Sequence, residues 1–127
     1  MTCCQPIDVC VLEDTPAVLF GRIRDQNGAL ITKAGTSSIS YKVIDTDTGT
    51  VNGSGTFVVN DCVFDTLQLD EERWKSDKKG FNFRATIPAA CIPDGDAVLM
   101  AEVKFTPVTG DITYGRWRMT VDKLYGS

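Results

Sequence analysis

Three stretches in the second half of the chain alternate apolar and polar residues with a period of two. Phe81, Phe83, Ala85 and Ile87 fall on one side of the first, and Asn82, Arg84 and Thr86 on the other. The second, Ala97 to Thr106, sets Leu99, Ala101, Val103 and Phe105 on one side. The third, Ile112 to Asp122, sets Trp117, Met119 and Val121 against Arg116, Arg118 and Thr120. A period of two places successive side chains on opposite faces of a strand. Strands with one apolar and one wet face form antiparallel sheets, and two such sheets bury their apolar faces against each other.

The first half reads the same way, less cleanly. Ala17 to Arg24 predicts a strand, followed by a turn at Asp25-Gln26-Asn27-Gly28, where Asn-Gly adopts positive φ at little cost. Leu30 and Ile31 suggest a short strand piece. Ser38 to Asp45 predicts a strand with Ile39, Tyr41 and Val43 on one side, and Thr46-Asp47-Thr48-Gly49 closes a hairpin. Thr56 to Asn60 and Cys62 to Leu67 predict two further strands, or one bent by a bulge. Asp70-Glu71-Glu72-Arg73-Trp74 reads as one helical turn with Asp70 as N-cap and Trp74 plugging one end of the core. Ser76 to Gly80 reads as a polar loop, and Ile92-Pro93-Asp94-Gly95 as a turn. The expected fold is an all-β, immunoglobulin-like antiparallel sandwich of about seven strands with one short helical turn. Residues 1–15 are expected to form an N-terminal arm, in which Val9, Val11 and Leu12 can dock as an edge strand. Residues 16–127 are expected to form a single domain.

With 127 residues, the chain is the size of one domain and large enough to fold without disulfide staples. Its five cysteines, Cys3, Cys4, Cys10, Cys62 and Cys91, are odd in number, which fits a reducing compartment. Cys3, Cys4 and Cys10 lack the second Cys or His pair that a zinc site needs, so no metal or other cofactor is expected. The opening Met-Thr-Cys-Cys-Gln-Pro has neither the basic nor the apolar stretch of a secretory signal. Synthesis in the cytoplasm is therefore expected. No apolar run approaches the roughly 20 residues of a membrane span, so no membrane partner is expected. A net charge of −4 argues against a dedicated nucleic-acid binder.

Histidine is absent, which removes every Ser-His and Cys-His catalytic pair. P-loop, GxGxxG and HExxH patterns are also missing. A glycosidase needs two carboxylates facing across a cleft, and a small sandwich offers none; Asp94 and Asp96 flank a turn glycine instead. The expectation is a protein that is not an enzyme. Asp45-Thr46-Asp47-Thr48-Gly49 resembles the start of a calcium loop, but Thr56 stands where the closing glutamate belongs, and a hairpin turn is the plainer reading.

Candidate interface residues are Arg84, Lys104, Arg116 and Arg118, read as lining one sheet face, together with Tyr125 in the tail. Tyr114 and Phe20 are further candidate surface aromatics. Trp74, Trp117 and Tyr114 would be the platform of an alternative carbohydrate- or ligand-binding module, which the inward placement of Trp117 disfavours.

Two segments carry a family likeness. One is Val18-Leu19-Phe20-Gly21-Arg22-Ile23-Arg24-Asp25 with Asn27-Gly28, Ile39-Ser40-Tyr41-Lys42-Val43-Ile44-Asp45 and Thr48-Gly49. The other is Gly80-Phe81-Asn82-Phe83-Arg84-Ala85-Thr86-Ile87-Pro88 with Ile92-Pro93-Asp94-Gly95. Over residues 16–122 the chain resembles the Ig-like modules of tailed-phage structural proteins, through strand spacing and turns rather than a diagnostic motif. The resemblance implies a virion component, either capsid decoration (cement) or a neck or tail connector. It also implies partners among capsid, portal or tail subunits, homo-oligomers in the particle, and no catalytic residues. Such modules join symmetric shells through edge strands, loops and arms, and an arm that orders only on assembly would fit.

Overall fold

The longest alternating runs pair with one another. In the computed structural model, which describes residues 7–25, 27–69, 80–93 and 95–123, β7 (Ala97–Pro107) lies between β3 (Thr36–Asp45) and β8 (Thr113–Asp122), antiparallel to both. β4 (Val51–Phe57) continues the sheet beyond β3. β1 (Ile7–Leu12) closes its other side, running parallel to β8 with Ile7 opposite Trp117 and Leu12 opposite Asp122. This five-stranded sheet has the order β1-β8-β7-β3-β4. A second sheet has the order β2-β6-β5, from β2 (Ala17–Gly21), β5 (Val63–Gln68) and β6 (Phe81–Ile87). An immunoglobulin domain divides its strands the same way, with the second, fifth and fourth in one sheet and the third, sixth and seventh in the other. With β2 as the second strand and β4 left out of the count as an added strand beyond β3, β2, β6 and β5 take the first set and β3, β7 and β8 the second. The fold is therefore the expected all-β, immunoglobulin-like sandwich, with eight strands among the described residues.

The core is built from the faces that the alternation marks. Leu99, Ala101, Val103 and Phe105 from β7 and Trp117, Met119 and Val121 from β8 are all buried, facing Leu19 of β2 and Phe83, Ala85 and Ile87 of β6. The Phe83 ring meets Phe105 edge-on at 5.0 Å and Trp117 at 5.5 Å, so one aromatic from the small sheet joins two from the large one. Trp117 Nε1 donates to the carbonyl of Phe20 at 2.9 Å, which ties the sheets together and satisfies the indole in the core. A Cβ on Gly21 or Gly115 would lie within 2.9 Å or 2.8 Å of that indole; both positions leave room for the ring.

Several elements depart from the expectation. Residues 58–62 are not strand. After β4, one helical turn, α1 (Val59–Cys62), carries the chain from the large sheet to β5 and buries Cys62. β4 begins at Val51, five residues before the expected start, because its glycines, Gly53 and Gly55, hide a strand that pairs with β3 along its length. β2 ends at Gly21. Beyond it the chain turns back, bridging Arg24 to Leu30, with Asp25 Oδ1 accepting from Asn27 N and Ala29 N. Asn82, expected on the wet face of β6, is fully buried beneath this returning segment. Its Oδ1 accepts from Ile23 N at 2.7 Å, and its Nδ2 donates to the carbonyls of Ile23 at 3.0 Å and Ile31 at 3.3 Å. Ile7–Leu12, read as part of an arm, is strand β1. The helical turn at Asp70–Trp74, the loop from Ser76, Asp94, Cys3, Cys4 and the tail from Leu124 lie outside the described residues. Among the described residues, no helix is long and apolar enough to cross a membrane.

Candidate protein-interaction site

Outward positions on β3, β7 and β8 form the wet face of the large sheet. The register sets Lys42 and Arg116 on either side of Glu102, and Tyr114 opposite Lys104. Glu102 Oε1 lies 3.9 Å from Lys42 Nζ and Oε2 lies 3.4 Å from Arg116 Nε, while Arg118 pairs with Asp8 of β1 at 3.3 Å. Lys104, Arg116 and Arg118 do share one face, but acids from neighbouring strands interleave with them. A face of mixed sign suits a protein neighbour better than a phosphate backbone.

Arg84 is elsewhere. It sits on β6 in the small sheet, opposite Phe20 of β2, with its guanidinium carbon 5.8 Å from the centre of the Phe64 ring. The alternation shows that Arg84 points outward, but which sheet it leaves depends on strand order, a non-local property. Phe20 is half-buried and meets Phe81 edge-on at 5.0 Å, so it belongs to an aromatic cluster with Phe81 and Phe64. Tyr125 lies outside the described residues. Trp117 is fully buried, which removes it from any sugar-stacking platform, and Trp74 lies outside the described residues; Tyr114 is exposed.

The acidic hairpin is held by its own atoms. Asp45 Oδ1 accepts from Asp47 N at 2.9 Å and the Asp45 carbonyl accepts from Gly49 N at 2.8 Å. Among the described residues no group of three or more His, Cys, Asp or Glu is placed to hold a metal ion. Cys62 and Cys91 are buried free thiols. Burial pushes both above the usual thiol range; Asp61 pushes Cys62 further up and Arg84 partly opposes it. They are protonated and unreactive at neutral pH. Cys10 is exposed on β1.

Two features escaped the sequence reading. The first is a cavity of about 340 Å³ between the β2–β3 and β7–β8 loops, at one end of the sandwich. Leu30, Ile31, Phe105 and Pro107 form its apolar walls, and Asp25, Asp111 and several threonines line it. Val108, Ile112 and Tyr114, in or beside the β7–β8 loop, are exposed. The second is the outer edge of β4. Its sequence, Val-Asn-Gly-Ser-Gly-Thr-Phe, carries no charge and no proline, and Val51 at its start and Val58 just past its end are exposed. Natural edge strands are usually guarded by lysine, proline or an inward charge. The absence of charge from residues 50–60 was the available signal, masked by the glycines.

No family model matches the sequence, and no curated protein matches it. Among solved structures the chain is similar to the crystal structure of CopC from Methylosinus trichosporium OB3b, with 14% identity and a TM-score of 0.45, covering 96% of this chain and 88% of that one. A likeness at that level carries no argument about function.

Proposed function

We propose that this protein is a non-enzymatic structural component of a phage particle, a capsid decoration protein or a neck or tail connector, that joins its neighbours through sheet edges and end loops. The observation that carries the reading is the unguarded β4 edge, a strand paired on one side only among the described residues and free of the charges that normally repel a second chain. The mixed-charge face of the large sheet and the exposed apolar residues of the β7–β8 loop add contact surface of the kind protein partners use. The phage setting comes from the resemblance of residues 16–122 to Ig-like modules of tailed-phage structural proteins. The partners are then capsid, portal or tail subunits, and the site of action is the virion.

The test is sedimentation of purified protein with tailed-phage particles and with isolated shell, portal and tail proteins, followed by imaging of the complex. Binding at a defined number of copies per particle is expected. Many copies over a shell would mark decoration, and a single ring would mark a neck or tail part. Protein that remains in the supernatant with every particle and subunit would refute the reading.

A further inference from the structure

Among the described residues the β4 edge has no second strand beside it, and its sequence complements itself. A bulge between Val43 and Ile44 on β3 falls opposite Asn52, whose Nδ2 turns to the Cys91 carbonyl at 3.4 Å, so the regular part of the edge is Gly53–Phe57. A second copy laid antiparallel about Gly55 sets Ser54 opposite Thr56 twice, Gly53 opposite Phe57 twice, and Gly55 opposite itself. Ser54 and Thr56 are both exposed, so the Ser–Thr pairs fall where hydroxyls can hydrogen-bond across strands. Each Phe57 falls opposite Gly53, and its ring is held on its own copy by stacking on Tyr41 at 4.5 Å. The other edges among the described residues fit a second copy less well. β1 carries Asp8, β5 carries Asp65, and β2 alternates between buried and half-buried. Copies of net charge −4 repel one another, and β4 is a neutral strip on which they can approach.

We propose that two copies of this chain pair through antiparallel Gly53–Phe57 edges, making one continuous ten-stranded sheet across a two-fold axis. This deepens the assembly reading, on which it rests for its use in a particle but not for the pairing itself. The contact is a short edge with few side chains, so the pair is weak and dependent on concentration in free solution. A shell that holds copies close together would favour it through raised effective concentration.

The experiment is sedimentation equilibrium over a wide concentration range on three proteins: wild type, Ser54→Lys/Thr56→Lys and Ser54→Lys/Thr56→Glu. In the first variant every cross-copy 54–56 pair is like-charged, and in the second every pair is opposite. Wild type is expected to dimerise, the double-lysine variant to bind roughly tenfold more weakly or not at all, and the lysine–glutamate variant to recover dimerisation. Circular dichroism melts check that both variants fold. Hydrogen exchange at residues 53–57 is expected to slow with concentration in wild type and in the lysine–glutamate variant, and not in the double-lysine variant. Wild type that stays monomeric at all concentrations, or three proteins that dimerise alike, would overturn the proposal. A monomer that still binds particles overturns the pairing and leaves the assembly reading intact; a dimer that binds no particle or subunit does the reverse.

Discussion

Replacing Asn82 with leucine tests the least expected feature of the core. The substitution keeps the branched outline of the side chain in a bulkier form and removes all three hydrogen bonds to Ile23 and Ile31. The Ile23 carbonyl retains a partner, because Ile31 N donates to it at 3.1 Å. The Ile23 N–H and the Ile31 carbonyl lose the bonds Asn82 gave them, on two residues that are themselves buried. Each buried group left unpaired costs about 1–3 kcal/mol, or roughly 2–6 kcal/mol for the two. Burying a leucine side chain returns about 1.5–3 kcal/mol. The net expectation is a loss of about 2 kcal/mol, a sizeable part of the roughly 5–15 kcal/mol that holds a domain together. With a slope of about 1–3 kcal/mol per molar urea, the unfolding midpoint should fall by roughly 1–2 M. Hydrogen exchange should speed up first at Ile23 and Ile31. Asn82→Asp sharpens the test, since a carboxylate there would face two carbonyl oxygens. It should be at least as destabilised at neutral pH and recover in part on acidification, because only the protonated acid can donate. A midpoint within about 0.3 M of wild type for Asn82→Leu would show that the returning segment is not hung on this amide.

Gly115→Ala places a Cβ about 2.8 Å from the Trp117 ring, which its bond to Phe20 holds in place. Overpacking of about 1–3 kcal/mol should lower the melting temperature by roughly 4–10 °C, and an unchanged melt would refute the contact. Thiol labelling of folded protein, read by mass spectrometry, should modify Cys10 and spare Cys62 and Cys91; equal labelling would contradict their burial. Because burial raises Cys62 and Cys91 above the ordinary thiol value of 9.0, their contribution to stability is complete below that pH and is lost as pH rises beyond it. Denaturant midpoints at pH 8 and pH 10 should therefore differ more in wild type than in Cys62→Ala/Cys91→Ala, and equal differences would refute the assignment. Glu102→Gln should cost about 1 kcal/mol despite its two cationic neighbours, since the pairs lie at a half-buried surface that solvent still screens; a much larger loss in urea melts would show a stronger network.

The strands legible in the sequence were those whose local pattern already carries the answer. β7 and β8 alternate over ten residues or more, and every residue placed inward on them is buried. Asn82 was misplaced because alternation reports the two faces of a strand, and the segment that folds back over one face is set by the distant turn between Asp25 and Gly28. Arg84 was read correctly as outward and wrongly as sharing a face with Lys104, since strand order has no local signature. β4 was cut short because glycine lowers strand propensity, although Gly53 and Gly55 sit where a side chain would collide with Cys91 or Tyr41. The uncharged run that forms the candidate site was legible in residues 50–60, but its place in the fold was not. A free edge is defined by which strand is last in its sheet.

The parallel pairing of β1 with β8 has a kinetic consequence. Asp8 and Arg118 are 110 residues apart, so β1 has no β8 to pair with until some 110 further residues have been made. Through synthesis, Ile7, Val9, Val11 and Leu12 stay unpaired, and β7 lacks one of its two neighbours. Contacts of such long separation slow the search for the native state, which places folding among the slower, millisecond-to-second β-sandwiches. Docking of β1 is then a late event, and the nascent chain spends its longest interval with its N-terminal strand open to chaperones or to the same strand of a neighbouring chain.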